Sequence, residues 1–309
     1  MPAYLLRRLA GAVLVLAGVS LAVFVALTYV PGDAADSLLG ESASAGQLAA
    51  LRQELGLDEP LPVRYARFVA GVVLHGDLGR SAVSGRAVSD LLAERIVPTA
   101  VLALTAIVLA VALGTTAGSL AATHPGSRLD LAVMGVSSLG MAVPTYWLSL
   151  LLVMLFSLKL RWLPVAGAGS LAHLILPAVT LALPTAAVVA RLIRSSLLDV
   201  LHADFLRTAH AKGLPARLVF RDHALRNSLI PVVTLLGLHL GHLLGGAFVI
   251  ETIFAWPGLG RLTVQAIFDR DLPVVLGAAL LVAAINVAIN LGVDLLHAIL
   301  DPRVGRSAL

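Results

Sequence analysis

Apolar positions in this chain gather into six long runs, and polar positions gather between them. The runs cover residues 9–30, 96–123, 131–158, 162–190, 229–250 and 272–293, and none contains an Asp, Glu, Lys or Arg. A helix needs about 20 apolar residues to cross a hydrocarbon core about 30 Å thick. Each run therefore predicts one spanning helix, and an even number of spans puts both termini on the same side. The run 131–158 contains Pro144 and is predicted as one span. The run 162–190 contains Pro164, Pro177 and Pro184, which predicts a helix start near Ala172. Ala43-Ser44-Ala45 resembles a signal-peptide cleavage site, but the run before it exceeds the 7–15 residues, roughly, of a signal core, so an uncleaved anchor is expected.

Composition agrees with the pattern. Of 309 residues 59% are hydrophobic and 13% charged, where soluble domains carry about a quarter charged residues. Mean hydropathy is +0.94. The class is an all-α integral membrane protein. Cysteine is absent, which excludes disulfides and thiolate metal sites. The net charge of +4 follows the loops of one side, so no nucleic-acid partner is expected. Putting Arg7 and Arg8 inside also puts Arg128, Arg191, Arg194, Arg207, Lys212, Arg217, Arg221, Arg226, Arg303 and Arg306 there. The inner segments then hold twelve basic residues against six acids, and the outer segments ten against twelve. Cytoplasmic loops carry the Lys/Arg excess, so both termini are expected in the cytoplasm.

Residues 31–95 are too long for a plain connector and are expected to be an extracytoplasmic helical insertion between the first span (residues 1–30) and a core over 96–309. Ser44 is placed to cap a helix ending at Leu55, with Gly56 as its stop, and a second amphipathic helix is expected over 62–74. Two compatible readings stand open for these helices. They lie on the membrane face of the bundle, or they form a docking rim for an extracytoplasmic partner.

The most informative segment is 199–228, where five basic residues, three acids and three histidines interrupt the apolar pattern. Asp204 is expected to cap a short helix with Phe205, Leu206 and Ala209 as its apolar strip. Arg207 and Lys212 project from it, Gly213 stops it, and Pro215 starts the next helix. Leu218, Leu225 and Leu229 are expected to carry an apolar face into the fifth span. A solvated loop has no use for Phe205, Leu206 and Leu214 among its charges, so a docking helix is expected.

No nucleotide motif is present: neither Lys159 nor Lys212 lies in G-x-x-x-x-G-K-[ST]. H-E-x-x-H and G-x-S-x-G are also absent, so no catalytic residues are expected. His239 and His242 share one face of the fifth span, and Asn286 and Asn290 one face of the sixth. These four are the candidate pathway-lining residues. Close packing near Gly241, Gly245 and Gly246 is the competing reading for the histidines, a metal role the speculative one, and helix-to-helix hydrogen bonding the expectation for the asparagines.

The segment Asp204-Phe-Leu-Arg-Thr-Ala-His-Ala-Lys-Gly-Leu214, with His223-Ala-Leu-Arg-Asn-Ser-Leu-Ile-Pro-Val-Val233 after it, resembles the ATPase-coupling loop of ABC importer permeases of the peptide/nickel branch. Arg207-Thr208-Ala209 stands where the wider family has Glu-Ala-Ala, and the glycine is kept as Gly213. Tyr4-Leu-Leu-Arg-Arg8, Leu55-Gly-Leu-Asp-Glu-Pro-Leu61, Gly76-Asp-Leu-Gly-Arg-Ser81, Ile253-Phe-Ala-Trp-Pro-Gly-Leu-Gly-Arg261 and Leu300-Asp-Pro-Arg303 resemble the first permease subunit of such systems. The resemblance implies a type I importer permease fold of six transmembrane helices in the plasma membrane of a bacterium. It implies a second homologous permease in a heterodimer, two cytoplasmic ATPases and an extracytoplasmic substrate-binding protein. ATP and magnesium would be bound by the ATPases, and this chain would hold no cofactor. Asp204, Arg207, Thr208, Ala209, Lys212, Gly213 and Leu214 would form the coupling loop. Di- and oligopeptides are the first expectation for cargo. Nickel or a metal chelate is the alternative, suggested by Val143-Pro-Thr-Tyr-Trp147, Trp162-Leu-Pro164, Leu238-His-Leu-Gly241 and Ile267-Phe-Asp-Arg-Asp-Leu-Pro273. A stand-alone secondary carrier is the remoter alternative, but such carriers show repeated halves and mid-membrane charge pairs, and neither occurs here.

Overall fold

Long apolar runs give long helices. The computed structural model describes residues 2–29, 35, 44–54, 56 and 58–300. Its helices of eight residues or more are α1 (Pro2–Thr28), α2 (Ala45–Glu54), α3 (Leu61–Ala70), α4 (Val88–Thr123), α5 (Arg128–Ala142), α6 (Thr145–Leu152), α7 (Leu171–Leu201), α8 (Asp204–Ala211), α9 (Ile230–Ile253), α10 (Leu259–Phe268) and α11 (Leu272–Leu300). Wider π-helical turns occupy Gly71–His75, Val153–Lys159 and Val219–Leu225. Among the described residues no strand forms beyond a single antiparallel bridge between Arg80 and Ala87.

Among the described residues four helical segments are long and apolar enough to cross a membrane: Ala10–Thr28, Val88–Thr123, Leu171–Leu201 and Leu272–Gly292. The run 131–158 does not form the single continuous helix expected of it. Val143 adopts an extended conformation (φ −77°, ψ 123°), and the chain turns by 107° between α5 and the segment Thr145–Lys159. Pro144 is the cause, because its ring disfavours the helical conformation in the residue before it. If the bent pair counts as one span, the number rises to five. Helix α9 is 24 residues long, and the side chains over most of its middle lie outside the described residues.

The chain divides into two compact units, Met1–Thr99 with Pro257–Leu309, and Ala100–Trp256. In the first, α1 runs beside α11, and Val88, Leu91, Leu92, Leu259, Ala266, Val274, Val275 and Ala278 form the core. The insertion helices belong to this unit. Ser44 Oγ accepts from the Gln47 amide at 3.3 Å while Gln47 Oε1 accepts from the Ser44 amide at 3.0 Å, a reciprocal cap that starts α2. Beyond α3 the chain forms a tight hairpin held by Asp271, whose carboxylate accepts from the Ser81 hydroxyl at 2.5 Å and the Ala82 amide at 3.1 Å.

In the second unit α7 is the central helix, with more buried residues than any other described helix. Its contact with α4 has no room for side chains on α4. A Cβ on Gly114 would lie 2.6 Å from Val189 Cβ, and one on Gly118 would lie 2.5 Å from the Ala190 carbonyl oxygen. Gly114 and Gly118 form a G-x-x-x-G pair, which lets two helix backbones approach where lipid supplies no hydrophobic drive between helices.

Candidate functional site

The segment 199–228 is a platform with a short helix standing on it. Helix α7 ends at Leu201, and His202 Nδ1 lies 2.7 Å from the Leu198 carbonyl. After one turn α8 begins at Asp204, the first helical residue. Leu206 is 3% exposed and Ala209 is buried, and both join a cluster with Ala122 from α4, Leu197 from α7, Val219 and Ala224. Full burial of a leucine side chain contributes about 1.5–3 kcal/mol, so this contact fixes how α8 sits on the helix ends beneath it. Gly213 has φ +77°, a left-handed conformation that favours glycine, and the Leu214 amide donates to the Ala209 carbonyl at 3.4 Å. Pro215 is extended and opens the next helical stretch.

The apolar strip differs from the expected one. Phe205 is 45% exposed and does not join Leu206 and Ala209 in the buried cluster. Leu214 and Leu218 are exposed as well. The buried face of 216–228 is Val219, Ala224 and Ser228, while Leu218 faces outward. The π-helical turn Val219–Leu225 accounts for this: its i→i+5 bonding moves the buried positions out of the 3.6-residue repeat behind the expectation.

What α8 presents outward is mixed. Arg207 and Lys212 are exposed, beside Phe205 and Leu214. Arg207 lies 3.6 Å from Asp204, and with both groups in solvent such a pair contributes roughly 0–1 kcal/mol, so Arg207 can take another partner. The Thr208 hydroxyl donates back to the Asp204 carbonyl at 3.2 Å. Arg221 donates from Nε to Asp222 at 2.8 Å, and that hydrogen bond raises the guanidinium pKa above its ordinary value. The outward side chains of this segment thus combine apolar surface with positive charge.

The platform has an ionic fastening that the sequence reading did not single out. Asp130, 2% exposed, accepts from Arg194 Nε at 2.5 Å and a terminal guanidinium nitrogen at 2.7 Å. Its second oxygen also accepts from the Gly126 amide at 2.9 Å, and Ser127 caps α5 by accepting from the Asp130 amide. The bond ties the turn between α4 and α5 to α7 one helical turn before Leu197. A signal was available in Ser127-Arg-Leu-Asp130, which has the spacing of a helix cap.

Of the candidate pathway residues, the side chains of His239 and His242 lie outside the described residues. Asn286 Nδ2 donates to the Val282 carbonyl of its own helix at 3.0 Å. Asn290 is exposed. Among the described residues no group of three or more His, Asp or Glu is placed to hold a metal ion.

Comparison with known proteins follows the same lines. Residues 114–306 match the family described as binding-protein-dependent transport system inner membrane component, and residues 1–103 match the N-terminal family of such membrane components. The glutathione transport system permease protein GsiC of Salmonella paratyphi A is 44% identical over 301 residues, covering 97% of this chain and 98% of that protein. GsiC of Escherichia coli K12 is 43% identical over the same length. A crystal structure of an amino acid ABC transporter with histidines has a TM-score of 0.51 at 16% identity, covering 70% of this chain and 94% of that one. At that identity the likeness speaks for the fold alone.

Proposed function

We propose that this chain, which belongs to the inner-membrane components of binding-protein-dependent transport systems, forms half of the translocation pathway of an ATP-driven importer for small peptides. The observation that carries the reading is the full-length relationship to permeases named for glutathione transport, itself a peptide. That relationship favours peptides over nickel or a metal chelate. The pathway is completed by a second, homologous permease. Six spans cross the membrane with both termini in the cytoplasm: the four long apolar helices, the bent pair α5–α6, and α9.

Helix α8 is the coupling helix. Leu206 and Ala209 fasten it to the ends of α4 and α7, and Phe205, Arg207, Lys212 and Leu214 meet a cytoplasmic ATPase. ATP and magnesium are held by that partner. When the ATPases close, a load on the outer face of α8 reaches α7 through Leu206 and Leu197. The Asp130–Arg194 pair carries it on to the start of α5. An extracytoplasmic binding protein delivers the substrate.

The test is uptake of labelled glutathione and dipeptides into vesicles holding the whole importer, driven by internal ATP. Wild type is expected to accumulate substrate, and reversing both charges (Arg207→Glu with Lys212→Glu) is expected to cut ATP-driven uptake more than tenfold with insertion unchanged. Undiminished uptake would remove α8 from the coupling path. Preference of the cognate binding protein for nickel chelates over peptides would reverse the choice of substrate.

A further inference from the structure

Helix α3 and the π-helical turn after it are built the wrong way round for a helix resting in water. Positions 62, 63, 66, 67, 70, 73, 74 and 75 form its exposed face. Apart from Arg67 and the terminal His75, that face is Pro62, Val63, Ala66, Ala70, Val73 and Leu74, and Val73 and Leu74 are 74% and 73% exposed. Tyr65 and Arg64 turn inward instead. The Tyr65 hydroxyl lies 2.9 Å from Ser20 Oγ and donates to the Ala17 carbonyl of α1 at 3.3 Å. The Tyr65 ring meets Phe24 edge-on at 5.4 Å, and the Arg64 guanidinium sits 5.8 Å from the centre of the Phe24 ring. Arg67, the charge left on the outer face, is neutralised by both oxygens of Glu59 at 2.5 and 2.6 Å.

Depth supplies the second observation. Ser20 precedes the end of α1 at Thr28 by eight residues, about 12 Å of helix rise, within the apolar span Ala10–Thr28. A hydrocarbon core about 30 Å thick places Ser20 well below its surface. The far end of the segment is fastened as well, because Leu78 packs into the core with Val274, Val275 and Ala278 of α11. The stretch from Tyr65 to Leu78 is thus pinned at both ends to spanning helices. The helix it is pinned to, α1, also exposes large apolar side chains, at Val13, Leu14 and Leu21.

We infer that α3 with Gly71–His75 is an interfacial helix sunk into the leaflet at the Thr28 end of α1, its Ala66–Ala70–Val73–Leu74 stripe in contact with lipid acyl chains. The occupant of this surface is lipid, and the exposed Arg67–Glu59 pair lies toward the headgroups, as long charged side chains do at an interface. The inference rests on α1 spanning the membrane, as in the reading above.

The chain has no cysteine, so single sites can be labelled cleanly. Ala70→Cys, Val73→Cys and Leu74→Cys would each carry a nitroxide in the complete importer, with cysteine-free partner subunits, in liposomes. Collision with oxygen and with water-soluble chromium oxalate is then read by electron paramagnetic resonance. Leu14→Cys marks a lipid-facing site, and Asp58→Cys marks a site in the turn before α3. The three test sites are expected to follow Leu14, with oxygen collision at least fivefold above chromium oxalate, and to be unmoved when binding protein is added. Chromium oxalate collision equal to that at Asp58 would overturn the inference in favour of a water-facing rim. Low collision with both reagents would overturn it in favour of a protein neighbour. A membrane-impermeant maleimide separates this from the orientation: if Asp58→Cys reacts only from inside the vesicle, the proposed orientation fails while the depth result stands by itself.

Discussion

Helices α8 and α3 use the same device and turn opposite faces outward. Each is a short amphipathic helix fastened to longer helices by a few side chains: Leu206 and Ala209 for α8, Tyr65 and Arg64 for α3. Each is too short to be stable alone in water, where even favourable sequences need about 12–15 residues. Helix α8 buries leucine and alanine and, with the turn that follows it, offers Phe205, Arg207, Lys212 and Leu214. Helix α3 turns a tyrosine hydroxyl toward α1 and offers valine, leucine and alanine. The side chains a fastened helix holds back, set against those it leaves out, identify what it was built to touch. A mixed apolar and basic face suits a protein partner, whereas an apolar face at membrane depth suits lipid.

The largest effect is expected from Leu206→Ala, which removes the fastening of α8. Truncating a buried leucine costs about 2–5 kcal/mol, so thermal unfolding in detergent should fall by several degrees. A melting temperature equal to wild type would mean that α8 is not held by this contact. A smaller effect is expected from Tyr65→Phe, which keeps the ring against Phe24 and removes the hydroxyl. Loss of one hydrogen bond costs about 0.5–1.5 kcal/mol, and it should appear as faster amide exchange in α3 with α8 unchanged. Wild-type exchange in α3 of the Tyr65→Phe variant would break the account of how α3 is attached.

Much of this architecture is legible in the sequence. Charge-free runs mark the long helices because lipid tolerates few charges. Pro164 and the prolines after it predict a late start for the fourth span, and α7 begins at Leu171. Gly56 and Gly213 mark stops because both need a left-handed backbone. Hydropathy alone failed at Pro144. A proline in an apolar run can be absorbed, as Pro177 and Pro184 are inside α7, or can break the helix, and the difference lies in packing around it. The π-helical turns escaped for a related reason: periodic reading assumes 3.6 residues per turn, and at Val219–Leu225 that put Leu218 on the wrong face. The Asp130–Arg194 pair joins residues 64 positions apart, so local pattern could offer only its Ser127 cap. The sequence reading passed over Gly114 and Gly118 despite their G-x-x-x-G spacing, and the distances to Val189 and Ala190 show which helix they admit.

The central claim is that the outward face of α8, and not its buried face, holds the ATPase. Phe205→Ser tests it most directly, since Phe205 is half exposed and belongs to no buried cluster. The quantity to measure is the affinity of the purified permease pair for its ATPase subunits, with the melting temperature recorded alongside. The account predicts binding weakened at least tenfold with melting unchanged. Wild-type affinity in a variant that folds normally would contradict it.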